Sequence, residues 1–182
     1  MTFPVEAIDA AREALAPFED RDLAALSEAE LAAALDAAAR YQRLAAVPHA
    51  VLAAEVARRS DAAKGGGMAR RRGHRNAHQM VAQGQGGSGG QARDAIEAGT
   101  LLVNASTRAG GEVRWSPVAA AVLAGEVSTA QARLIVETLE RCEGAGDELA
   151  TRLVRMAARL SLVDLRRACT DVVARWDGDR WQ

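Results

Sequence analysis

Apolar residues recur at helical spacing along nearly the whole chain, and the two-residue alternation of a strand appears nowhere. The pattern predicts an all-α protein, a multi-helix bundle containing a helix-turn-helix-like hairpin. A lead-in over residues 1–26 carries a helix at about 5–15 that Pro17 ends. Ser27 and Glu30 then have capping-box spacing and open the longest helical run, residues 27–59. Leu31, Leu35, Leu44, Leu52 and Val56 fall on or near one stripe of that run, with Arg40, Arg43, Arg58 and Arg59 largely off it. Pro48 interrupts it, which predicts either a kinked helix or two helices meeting near Val47.

Residues 60–75 read as a Gly- and Arg-rich linker, with three consecutive glycines ahead of Arg70, Arg71 and Arg72. A helical core over residues 76–177 follows, and residues 178–182 are a tail, the whole forming one domain. Within the core, residues 76–103 outline a helix-turn-helix: a short helix at about 76–83, a glycine-rich turn GQGGSGG, and a second helix opening near Ser88. Ser88 and Gln91 form its capping box. The turn exceeds the usual three or four residues. The same pattern also fits a packed helical hairpin with a solvated basic loop.

Beyond it, Gly110 and Gly111 mark a turn and Trp115 is a core anchor. Pro117 opens a short helix at about 118–124, and Gly125 closes it. Ser128 with Gln131, and more weakly Ser161 with Asp164, cap two later helices. Between them a helix from about residue 147 buries Leu149, Leu153, Met156 and Leu160. The last helix presents Leu165, Ala168, Val172 and Trp176.

Apolar residues make up 49% of the 182-residue chain but aromatics only 3%, so the core has to be built from Ala, Leu and Val. The net charge of −1 hides an asymmetry. Residues 58–75 hold seven Arg and Lys against one acid, while residues 1–57 hold four against ten. That concentration predicts a local phosphate-seeking surface on a chain that is otherwise indifferent to polyanions. Lys64, Arg70, Arg71, Arg72 and Arg75 are the expected phosphate contacts, because cations placed near phosphates release counterions and guanidinium forks bind bidentately. Gln91 and Arg93, at the start of the second hairpin helix, are the expected base-reading residues, although Asp94 and Glu97 beside them would repel phosphates.

Cys142 and Cys169 read as buried thiols without a disulfide framework. His74 and His78 would share a helix face if the helix began early enough, but no third ligand accompanies them, so no metal site and no cofactor are expected. The chain has no nucleophile with a base partner and no phosphate loop of the Walker type. No signal peptide or membrane-length apolar run is evident, and the expectation is a cytoplasmic protein that is not an enzyme.

The stretch SPVAAAVLAGEVSTAQARLIVETLERC and the later ELATRLVRMAARLSLVDLRRACTDVVARWDGD resemble the domain-of-unknown-function family 222, which is frequent in GC-rich bacteria. The similarity rests on a short helix ending at Ala124, Gly125, Glu126, Val127 and Ser128, then a helix starting with Ala130 and Arg133. It also rests on a Gly-His-Arg opening at residues 73–75 and an Ala92–Arg93 helix start, and it spans residues 27–177. The resemblance implies a helical region that precedes a metal-dependent HNH endonuclease domain in many members. Such a domain would be expected after Gln182, and its histidine cluster is not among His49, His74 and His78. The expected function is a DNA-binding or DNA-positioning module. The alternative is an oligomerisation or protein-interaction module, a homo-oligomer in which an acidic first segment pairs with a basic loop.

Overall fold

The computed structural model describes residues 5–61, 63, 67–106 and 115–179. Those residues form nine helices and no strand. In chain order they are α1 (Val5–Glu13), α2 (Glu28–Arg59), α3 (Gly67–Arg71), α4 (Ala77–Gly84), α5 (Gly89–Ser106), α6 (Ser116–Leu123), α7 (Thr129–Arg141), α8 (Asp147–Ala157) and α9 (Leu162–Asp179). Among them, no helix is long and apolar enough to cross a membrane.

Local chemistry sets the helix starts. Ser27 with Glu30 and Ser128 with Gln131 form reciprocal capping boxes, each side chain satisfying a backbone N–H of the first turn. Arg21 adds an ion pair at 2.7 Å to Glu30. The Ser27 N–H, followed by Arg21, pulls the Glu30 carboxyl down to about 2. Pro17 lies in a short 3-10 turn (Ala16–Phe18) just beyond α1, where its fixed φ suits a turn.

Helix α2 runs without a break through Pro48. Its buried face differs from the leucine stripe: Leu44, Val47, Ala50, Ala53 and Ala54 are buried, whereas Leu31, Leu35 and Leu52 face solvent. The reason lies in the partner helix. A β-carbon at Gly99 would stand 1.9 Å from the Ala50 carbonyl oxygen, so α2 and α5 meet backbone to backbone. Only small side chains fit at such a crossing, and the leucines are turned away from it.

Two apolar clusters hold the molecule. The larger gathers Val47 of α2, Leu101 and Leu102 of α5 and the inner faces of α6 to α9, with Trp115, Ile135, Leu139, Leu153 and Leu165 all buried. Trp115 is 7% exposed and anchors the start of α6. The smaller joins α2, α4 and α5 through Ala53, Ala77, Val81, Ala92, Ala95 and Ile96. Cys142 and Cys169 are buried and form no disulfide, and burial raises the Cys169 thiol pKa. Helix α9 continues to Asp179, two residues past the expected end of the helical core at 177. The turn expected at Gly110 and Gly111 lies outside the described residues.

Candidate nucleic-acid interface

The segment from residue 60 to residue 75 is not simply a linker. Ser60 is buried at the end of α2, and its hydroxyl oxygen accepts the backbone N–H of Ala69 at 3.0 Å. Ala69 is fully buried, and Gly67, with φ +43°, brings its α-carbon so close to α2 that a β-carbon would collide with the Arg59 carbonyl oxygen at 2.0 Å. Five residues make a marginal helix alone. Here the α2 terminus supplies the missing support, and α3 forms as a docked turn. It closes through Gly73 N–H to Arg70 C=O and His74 N–H to Ala69 C=O, the paired bonds of a Schellman ending.

This docking fixes the backbone that carries the arginines. Arg70, Arg71, Arg72 and Arg75 are all exposed, and none pairs with a carboxylate among the described residues. Arg58 and Arg59 are different: both grip Glu55 at 2.6 Å. Their hydrogen bonds hold the Glu55 carboxyl near about 2. Lys64 lies outside the described residues. Among the described residues, the cations of the segment that pair with no carboxylate are those of α3 and the approach to α4.

Helix α4 begins at Asn76, whose side-chain oxygen accepts the Gln79 N–H at 2.9 Å, while Gln79 Oε1 accepts the Arg75 N–H at 2.6 Å. His74 precedes this cap, so His74 and His78 do not share a helix face. No group of three or more potential metal ligands occurs among the described residues. At the other end, Gly86 and Gly87 return hydrogen bonds to Gln83 and Ala82. Gly84 belongs to α4, and Gly89 and Gly90 belong to α5, so the turn is residues 85–88. That brings it within the length of a helix-turn-helix connection.

Both expected base-reading residues are engaged locally. Gln91 Oε1 accepts the Ser88 N–H at 2.8 Å, and the Ser88 hydroxyl accepts the Gln91 N–H at 3.2 Å, so the capping box uses the acceptor end of the Gln91 amide. Arg93 is exposed but donates to Glu97 at 2.7 Å, a bond that raises its pKa, and it lies 3.9 Å from Glu137. Asp94 is tied to Arg133 of α7, which also pairs with Glu137. These pairs fasten α5 to α7, and Asp94, Glu97, Glu137 and Glu140 outnumber Arg93 and Arg133 on the surface between them. An open cleft of about 430 Å³ there is lined by Arg93, Glu97, Glu137, Glu140 and Trp115. In the first turn of α5 Gly89, Gly90 and Gln91 are exposed, while Ala92, Ala95, Ile96, Ala98 and Leu102 form its buried face.

The α8 surface adds a cationic line that the segment charges concealed. Arg152 and Arg155 of α8, and Arg159 in the turn just beyond it, are exposed, spaced three and four residues apart, and unpaired with described carboxylates. Two of them border a cleft with Trp176, whose indole N–H donates to the Glu143 carbonyl at 3.1 Å. Their helical spacing was visible in the sequence, but acids elsewhere in the C-terminal half cancel them in a segment total. Comparison with known proteins found no matching family model, no matching curated protein and no matching solved structure.

Proposed function

We propose that this chain is a non-catalytic helical module that binds the DNA backbone through the edge formed by α3 and the start of α4. The single observation behind this reading is the set of four exposed arginines within residues 70–75, on backbone fixed by Ser60 and Gly67 and unpaired with described acids. Such guanidinium groups are prepared for phosphate oxygens and need break no internal ion pair to reach them. The first turn of α5 lies close in the chain and offers Gln91 to a groove. The sequence resemblance to family 222 points the same way, and on it the module belongs in the cytoplasm and positions an HNH endonuclease on its target.

The test is fluorescence anisotropy of a labelled duplex titrated at several salt concentrations, with a variant carrying Arg70→Ala, Arg71→Ala and Arg72→Ala. Four phosphate contacts give a slope of about −3.6 in log affinity against log salt, and the variant falls to about −0.9. No binding at low salt, or equal slopes for the two proteins, overturns the proposal.

A further inference from the structure

The part of α2 turned away from the core carries an ordered pattern of its own. Leu31, Leu35, Ala38, Gln42, Ala45 and His49, ending at Leu52, are spaced alternately four and three residues apart. That is the spacing of a coiled-coil seam. His49 is half-buried and the others are exposed, with Leu31, Leu35 and Leu52 at 50%, 69% and 56%. These are three of the seven large apolar side chains most exposed among the described residues. A helix that leaves leucines in water on a regular seam has an unfilled partner position.

We infer that the seam is filled by the α2 helix of a second copy, packed antiparallel. Charge is the first argument. Between Leu31 and Ala54 the only charged residues of α2 are Asp36, Arg40 and Arg43, none of them on the seam. Arg43 instead donates to the Gly125 carbonyl at 2.6 Å on the core side. The positions flanking the seam are four alanines, Tyr41 and Pro48. Two identical faces of this kind meet without repulsion, and a charged partner finds no counter-ion on them. This neutrality stands against an otherwise acidic N-terminal surface.

Size is the second argument. An antiparallel register that sets Leu35 against Leu52 of the other copy also sets Ala38 against His49 and Gln42 against Ala45. Each larger side chain then meets a smaller one, and leucine pairs close both ends. The contact is isologous and closes as a dimer. The face of α2 buried from Leu44 to Ala54 points the other way, and α1, which also packs against α2, leaves Leu31 and Leu35 exposed. A seam of residues 35–52 is about 27 Å long. It sits at the small end of dimer interfaces.

The test is sedimentation equilibrium of the full chain across the micromolar range, compared with Leu35→Lys and Leu52→Lys variants checked by circular dichroism for unchanged helix content. A monomer–dimer equilibrium whose dissociation constant rises at least about tenfold in each variant is the expected result. Register is read by mixing a Leu35→Cys copy with a Leu52→Cys copy under mild oxidation, since the native thiols are buried. The expected product is the mixed disulfide. A monomer at every concentration, a dimer indifferent to the lysines, or Leu35→Cys copies that cross-link to one another instead each overturn the inference.

Discussion

The Ala50 carbonyl oxygen lies 1.9 Å from the place a β-carbon on residue 99 would take, which makes Gly99 the crossing point of α2 and α5. Neither neighbour can retreat easily, because Ala50 is fully buried and Ala54 stands 3.0 Å from the same point. Gly99→Ala is therefore expected to destabilise the fold by about 1–3 kcal/mol, despite the higher helix propensity of alanine. Urea unfolding followed by circular dichroism measures it, and an unchanged or raised midpoint contradicts the close crossing.

Paired and unpaired arginines should separate in DNA titrations. Arg72→Ala removes a free cation and is expected to make the salt slope shallower by about 0.9. Arg93→Ala removes a guanidinium already held by Glu97 and is expected to leave the slope unchanged. Parallel titrations of the two variants decide it.

Arg133 links α7 to Asp94 of α5 and to Glu137, with only 20% of its side chain exposed. Truncating Asp94 or Arg133 alone is expected to cost more than truncating a surface pair. A double-mutant cycle with Asp94→Ala and Arg133→Ala should give a coupling of about 1–2 kcal/mol. Additive effects would show that the pair does not fasten the two helices.

Acid should weaken the fold through Glu30 and Glu55. Both carboxyls titrate near about 2 in the folded chain, below the ordinary 4.5. A depressed folded pKa means that the contribution is complete above 4.5 and is lost as pH falls toward 2. Wild type and Glu55→Gln are thus expected to differ at neutral pH and to converge in that window, read by urea midpoints at several pH values. A gap that stays constant to low pH would show that the ionised carboxylate is not what Arg58 and Arg59 hold.

Local signals were legible in the sequence and tertiary ones were not. The capping boxes of Ser27, Ser88 and Ser128 could be read because donor and acceptor lie three residues apart. The buried face of α2 could not. In an alanine-rich helix the leucines draw the eye, yet the crossing at Gly99 selects alanines, and Leu35 stays in water. Helix α3 was hidden in a glycine-rich stretch, because its support comes from Ser60 and from the close approach of Gly67 to α2. The basic cluster was visible as composition, but its division into Arg58 and Arg59, held by Glu55, and the free arginines of α3 needed coordinates. The pairing of Arg93 with Glu97 could have been anticipated from four-residue spacing, and it changes the role open to Arg93.

Helix α2 belongs to both apolar clusters, Val47 to the larger and Ala53 to the smaller, with no glycine between them. It works as a spine shared by the two packing units. Pro48 lies between the two clusters and leaves one helical hydrogen bond of α2 unmade, so the spine has its weakened joint where they meet. Toward the other end of the spine, about 24 Å from Arg59 along the axis, Arg43 ties α2 to the Gly125 carbonyl beyond α6. The arginine edge and the turn before α7 are thus carried on opposite sides of that joint.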